Sequence, residues 1–76
     1  MGDVPAALDD LGQAVALAPD VGELRQNRAV ALQDLGRAAD AAADLHRYLE
    51  LCPEAEDRSE VEHQLESLLT AAAGVR

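Results

Sequence analysis

Two prolines, Pro19 and Pro53, lie 34 residues apart, and the segments that precede them match. The matched segments are residues 7–11 with 41–45, and residues 15–19 with 49–53. The first pair keeps an alanine and a leucine at corresponding positions, and the second keeps a leucine two residues before the proline, which two unrelated prolines do not explain. A fixed period of this length is typical of chains built from stacked, repeated structural units. The repeat is therefore the strongest constraint on the fold.

The residues between the two prolines have the periodicity of two amphipathic helices. Before Gly36, the apolar residues Leu24, Ala31 and Leu35 recur at helical intervals. After Gly36, apolar residues recur every three or four positions, namely Ala38, Ala41, Ala42, Leu45, Tyr48, Leu49 and Cys52. Gly36 suits the left-handed conformation at a helix end, and Pro53 cannot continue a helix. A connection this short predicts an antiparallel helical hairpin.

Similar patterns on both sides of this hairpin predict an all-α fold of about four helices. Alanine and leucine dominate the apolar residues, and β-branched residues are few. We expect helices near residues 4–18, 20–36, 38–52 and 58–72, and no strand. At 76 residues, the chain is expected to form a single domain.

Capping residues mark the expected helix starts. Asp3 can cap the first helix, and Asp20 followed three residues later by Glu23 has the pattern of a capping box for the second. Two pairs are open for the fourth helix, and they are Ser59 with Glu62 and Asp57 with Glu60.

The net charge of −9, from 15 acidic and 6 basic residues, bounds the kinds of partner. Phosphate backbones and anionic membrane surfaces are bound by clustered positive charge, so neither nucleic acid nor a membrane is an expected partner. No apolar run approaches the roughly 20 residues that a membrane-spanning helix needs. The single cysteine, Cys52, rules out an internal disulfide and fits a reducing compartment, so we expect a cytoplasmic location.

A further pattern is carried by Asn27-Arg28-Ala29, Leu32, Leu35-Gly36-Arg37, Ala41, Leu45, Tyr48 and Pro53. Together these residues resemble the tetratricopeptide repeat. The resemblance divides the single domain 1–76 into the second half of one repeat (2–19), one full repeat (20–53) and a C-terminal capping helix (57–73). Arg25 and Ala38 stand where the family often has aromatic packing residues.

The resemblance implies antiparallel helical hairpins stacked as a right-handed superhelix. It also implies a non-catalytic scaffold that binds a protein or peptide segment on a concave face. In the family, the first helix of each repeat lines that face. The residues implied here are Glu23, Gln26, Asn27, Val30, Gln33, Asp34, Glu60 and Gln64. The Asn27 amide can bond both a donor and an acceptor of an extended backbone, although a solvated helix residue fits the same position. A two-cation carboxylate clamp is not expected, since Arg25 and Arg28 are the only cations on that helix.

Two alternative functions remain open. The stretch Arg47 to Leu69 also resembles the helical C-terminal extension of bacterial transglutaminase-like proteins, which would make the chain an appendage of a larger enzyme. Alternatively, the chain is a self-association module. Its first helix has the pattern of a second repeat helix, so we expect part of the apolar face formed by Leu8, Leu11 and Val15 to be uncovered. A homodimer would cover that face.

Candidate reactive residues are His46, Cys52 and His63. Six helical positions separate His46 from Cys52, which places them about 240° apart around the axis. Cys52 ends an apolar stripe, where an inert buried thiol is usual. The sequence therefore predicts no catalytic residue, no cofactor and no metal site.

Overall fold

The structure is a computed structural model that describes residues 4–74. Within that range the chain forms four helices and no strand: α1 (Val4–Leu17), α2 (Gly22–Asp34), α3 (Ala38–Leu51) and α4 (Arg58–Ala72). The predicted all-α fold is confirmed. The largest shifts in helix bounds are at α2, which begins and ends two residues inside the expected range 20–36.

Each helix packs on its neighbours in the chain, in the order α1 on α2, α2 on α3 and α3 on α4. The contact between α2 and α3 is the most extensive of the three. α3 begins and ends 34 residues after α1, so the two helices repeat the spacing of the two prolines. The architecture is a row of antiparallel helices that follows the sequence.

The core is made where α2, α3 and α4 meet. Its buried members are Ala29, Leu32, Ala41, Leu45, Tyr48 and Val61, and Leu8 of α1 packs against them. Small residues at the contact between α2 and α3 let the two helices approach closely. At Gly22, an added Cβ would lie 2.6 Å from Cys52 Sγ and 3.0 Å from Tyr48 Cδ1. No larger residue fits there without displacing a neighbour.

A Schellman motif makes the turn between α2 and α3. Gly36 has φ +75°, the left-handed conformation that only glycine adopts readily. The Gly36 amide donates to Gln33 O at 2.9 Å, and the Arg37 amide donates to Leu32 O at 2.8 Å. These two bonds satisfy carbonyls at the end of α2 and reverse the chain. The role predicted for Gly36 is confirmed.

The expected capping boxes are wrong. α2 begins at Gly22 with Val21 in the cap position, and no side chain caps it, so Asp20 and Glu23 do not form the predicted pair. Asp57 does occupy the cap position of α4, but its carboxylate makes no capping bond. Its oxygens accept bonds from side chains of α2 and α3 instead. Ser59 lies inside α4, and Asp3 lies outside the described residues.

Candidate functional site

The outward side of α2 carries most of the residues expected to contact a partner. The exposed members of the expected set are Glu23, Asn27, Val30, Gln33 and Asp34 on α2 and Glu60 and Gln64 on α4. Val30 is 56% exposed although it is apolar, and polar side chains surround it along the helix. This side of α2 is therefore a polar surface with one apolar residue near its centre.

Two of these residues, Gln33 of α2 and Gln64 of α4, line the same groove. The groove has a volume of about 230 Å3, and His63, Ser67 and Leu68 complete its lining. It is shallow and open to solvent. The remaining residues of the expected set do not line it. The structure thus brings α2 and α4 to one surface near the C-terminal end of α2.

Gln26 is held by an intramolecular contact. Its Nε2 donates to Asp57 Oδ2 at 2.9 Å, and the Tyr48 hydroxyl donates to Asp57 Oδ1 at 2.7 Å. The bond to the carboxylate, followed by burial, raises the pKa of Tyr48 to about 12. The bonds from Tyr48 and then Gln26 hold the pKa of Asp57 below its ordinary value. These three side chains join α2, α3 and the start of α4.

Arg28 and Asp44 form an ion pair between α2 and α3. Arg28 Nε donates to Asp44 Oδ2 and Arg28 Nη2 to Asp44 Oδ1, both at 2.7 Å. Asp44 is only 3% exposed, and Arg25 Nη1 lies 3.6 Å from Asp44 Oδ1. The bond to the carboxylate raises the pKa of Arg28 above its ordinary value. Such bidentate arginine–carboxylate pairs are among the stronger polar contacts in proteins.

Sequence reasoning missed this pair, although a signal was present. Asp44 has the helical spacing of the apolar positions Ala41 and Tyr48, so its place on α3 is a core position. A charge at such a position requires a partner, and α2 offers only Arg25 and Arg28. Both cations of α2 therefore contact Asp44 within the chain, and we do not assign them to ligand binding.

The residues expected to mediate self-association are partly covered within the chain. Val15 is 5% exposed, Leu11 is half-buried, and Leu8 packs against the core. Among the side chains of α1 from Ala6 onward, the large apolar one that is most open is Leu17, at 87% exposure. Val21 in the following turn is also exposed. The open apolar surface at this end of the molecule therefore lies at the C-terminal end of α1.

His46, Cys52 and His63 lie at separate places. His46 is exposed, with Nδ1 3.7 Å from Glu50 Oε1, while Cys52 is half-buried against Gly22. In the part of the chain that the structure describes, no three histidine, cysteine or acidic side chains are grouped so that they could hold a metal ion. Over the same residues, no helix has the length and apolar character needed to span a bilayer.

Comparison with known families agrees with this arrangement of helices. The sequence profile of the tetratricopeptide repeat matches residues 1–66 of the chain. No curated protein and no solved structure gives a significant match. The matched segment includes α1, α2, α3 and the first half of α4. Since the profile covers most of the sequence and the structure has the helical hairpin that its pattern predicts, the chain belongs to the tetratricopeptide repeat family.

Proposed function

We propose that this chain is a non-catalytic interaction module that binds a peptide or protein segment across α2 and α4. The observation that carries the proposal is the shared groove lined by Gln33 and Gln64, which come from two different helices. Asn27 and Val30 extend the same surface along α2, and both are exposed. A continuous surface over two helices gives an extended segment more than one point of contact.

The side chains on this surface suit an extended backbone. The amides of Asn27, Gln33 and Gln64 each offer a donor and an acceptor, which is what a peptide group presents in return. Val30 provides a central apolar contact. The exposed acids on the surface are Glu23, Asp34 and Glu60. They favour a segment that carries lysine or arginine.

The repeat division 2–19, 20–53 and 57–73 is part of the proposal. It is supported by the equal spacing of α1 and α3 and by the Gly36 turn between the two helices of the full repeat. Residues 1–3 lie outside the described part of the chain. We also propose a cytoplasmic location, on the ground that the chain's only cysteine, Cys52, has no disulfide partner.

Peptides selected from a displayed random library against the purified chain would test the function. Binding is then mapped by nuclear magnetic resonance on the labelled protein. We expect the amide signals of Asn27, Val30, Gln33 and Gln64 to shift, and Val30→Asp to abolish binding. Leu17→Asp is the matched control, because it places the same charge on an exposed apolar residue of α1. Selected peptides that still bind Val30→Asp would contradict the assignment of this surface.

Self-association is a second candidate, favoured by the exposure of Leu17 and Val21. Exposed neighbouring apolar side chains are often covered by a partner surface. Light scattering over a range of protein concentrations tests it, with Leu11→Glu and Leu17→Glu as probes. A mass that stays monomeric at high micromolar concentration would rule out a homodimer.

A further inference from the structure

A groove of about 540 Å3 runs between α3 and α4. Its floor is apolar and includes Leu49 and Pro53 from the α3 side and Leu65 and Leu69 from α4. Leu49 and Leu65 also contact the core, which holds them in place. Leu69 is 54% exposed, so a large part of its side chain is available to a ligand. The groove is distinct from the shared surface of α2 and α4 described above.

The side of α4 that lines this groove corresponds in position to the side of α2 on which α3 packs. Counted from the first residue of each helix, Arg58 and Leu65 of α4 stand where Gly22 and Ala29 stand in α2. Gly22 and Ala29 are buried, and α3 is the helix packed on them. Arg58 and Leu65 line the open groove instead. The side of α4 that faces the groove is therefore the side on which α2 accepts a helix.

The rim of the groove is acidic. Glu50, Glu62 and Glu66 surround the apolar floor. Arg58 is the cation among the lining residues, and its Nη1 donates to Pro53 O at 2.7 Å while its Nε lies 3.5 Å from Glu62. Glu50 Oε1 lies 3.5 Å from Arg47 Nη1 and 3.7 Å from His46 Nδ1. Among the described residues, Glu66 is the acid of the rim that forms no ion pair. An apolar floor between carboxylates is complementary to an apolar stripe between cations.

We propose that the groove between α3 and α4 binds an amphipathic helix of a partner protein whose leucine-type side chains contact Leu49, Leu65 and Leu69. Arginine or lysine residues beside that stripe pair with Glu66 and add to the exposed ion pairs that Glu50 and Glu62 make with Arg47 and Arg58. Helices docked in grooves use anchors at intervals of three and four positions, which matches an apolar stripe on one helical face. This is an interaction surface beyond the proposed peptide site on α2 and α4.

A second copy of the chain is a poor occupant of this groove. Its own amphipathic helix α1 carries Asp9 and Asp10 and has no basic residue. That helix would place two more carboxylates beside the acidic rim. Each copy also has a net charge of −9, so the approach of a second copy is opposed over a longer range. Charge therefore selects a basic helix from a different protein.

The test uses the full chain and three synthetic helical peptides of equal length. The first has leucines at positions i, i+3, i+4 and i+7 with lysine and arginine on the flanks. The second keeps the leucines and replaces the cations with glutamate, and the third has the residues of the first in scrambled order. Binding is measured by fluorescence anisotropy at two salt concentrations and mapped by nuclear magnetic resonance. We expect only the first peptide to bind, more weakly at high salt, with shifts at Leu49, Leu65 and Leu69.

Two variants and two matched controls locate the site. Leu69→Ala should weaken binding of the basic peptide about tenfold, as for an apolar anchor. Glu66→Arg should weaken it about fivefold, because an attraction becomes a repulsion. Leu17→Ala and Asp9→Arg make the same changes at exposed positions of α1 and should leave binding unchanged. Circular dichroism and melting curves establish that each variant is folded.

Several results would overturn the proposal. Equal affinity for the basic and acidic peptides would remove the charge argument, and absence of binding by the basic peptide would remove the site. Shifts confined to Asn27, Val30 and Gln33 would place the peptide on α2, which would refute this groove while leaving the proposed function intact. Oligomers of the chain alone that Leu69→Ala dissociates would make a second copy the occupant instead.

Discussion

The Tyr48 hydroxyl donates a hydrogen bond of 2.7 Å to Asp57 Oδ1, which ties the second half of α3 to the first residue before α4. Gln26 of α2 bonds the other oxygen of the same carboxylate at 2.9 Å. One acid thus replaces the expected helix cap with contacts to two other helices. This carboxylate therefore connects the start of α4 to both α2 and α3.

Tyr48 should titrate at high pH. The bond to Asp57 raises its pKa to about 12, and it is the chain's only tyrosine, so the ultraviolet absorbance of tyrosinate reports on it alone. Asp57→Asn removes the negative charge near the hydroxyl and should bring the midpoint back toward 10, the ordinary value for tyrosine. Identical midpoints in the two proteins would mean that the bond does not form in solution.

The Tyr48 hydroxyl should also make the free energy of unfolding depend on pH in the alkaline range. Its ordinary pKa is 10.0 and its folded-state pKa is about 12, a raised value, so its contribution is complete below pH 10 and is lost as pH rises to about 12. We expect the melting temperature to fall across that window. No lysine titrates there, because the chain has none. In Tyr48→Phe the fall should be shallower, and parallel curves would argue against this assignment.

Removing only one partner of the Arg28–Asp44 pair should lower the free energy of unfolding more than removing both. Arg28→Ala leaves the buried Asp44 carboxylate without its two closest donors, and we expect a loss of about 1.5–3 kcal/mol in the free energy of unfolding. Arg28→Met combined with Asp44→Leu removes both charges and should recover most of it. Urea unfolding of both proteins and of Arg37→Ala, whose pair with Asp40 is exposed, measures the difference. Equal losses for Arg28→Ala and Arg37→Ala would contradict the burial of Asp44.

Substitution by alanine should destabilise the fold at Gly22 but not at Gly12. An added Cβ at Gly22 meets Cys52 Sγ at 2.6 Å, while nothing lies within 4 Å of one at Gly12. Gly22→Ala is expected to destabilise the fold, and Cys52→Ala in the same chain to relieve part of that loss. Gly12→Ala lies within α1 and should stabilise it by about 0.5–1 kcal/mol. Thermal melting ranks the three variants, and a stabilising Gly22→Ala would refute the close approach of α2 and α3.

Leu45 is the natural probe of the core. It is 1% exposed in the cluster of α2, α3 and α4, so Leu45→Ala should cost about 2–5 kcal/mol in unfolding free energy. Glu54→Ala changes an exposed residue of the loop before α4 and should cost less than about 0.5 kcal/mol. Chemical denaturation of the two variants compares them directly. Similar losses would mean that the apolar stripe of α3 is misassigned.

The parts of the fold that the sequence predicted are those fixed by neighbouring residues. Helical periodicity and the Gly36 turn are local features, and both appear in the structure as expected. Bonds between distant side chains were missed, such as Gln26 with Asp57 across 31 positions and Arg28 with Asp44 across 16. The spacing of Asp44 marks it as a core position that requires a cation, but the sequence does not say whether Arg25 or Arg28 makes the close pair. The failed cap at Asp57 has the same cause, because its carboxylate bonds side chains of α2 and α3. The box expected at Asp20 and Glu23 failed because α2 begins at Gly22, with Val21 in the cap position.

The sequence predicts which residues lie on the outward side of α2, but it does not predict how they are arranged relative to α4. The outward side of α2 follows from the positions of Ala29 and Leu32, because a buried stripe determines the opposite face. The convergence of Gln33 and Gln64 on one groove depends on the packing of α4, which the sequence pattern of either helix alone does not contain. The second groove beside Leu69 depends on the same packing.

The arrangement of the helices in a row determines which parts of the chain are expected to unfold first. In the part of the chain that the structure describes, α1 packs mainly on α2 and α4 mainly on α3. Leu8 of α1 also packs against the core, and Asp57, just before α4, also accepts a bond from Gln26 of α2. Stability in such linear arrays is close to a sum of nearest-neighbour terms, and the ends can open while the middle remains intact. The α2–α3 hairpin, joined by the most extensive contact and by the Arg28–Asp44 pair, is the unit that should resist hydrogen exchange longest. We expect α1 and α4 to exchange earlier than this hairpin.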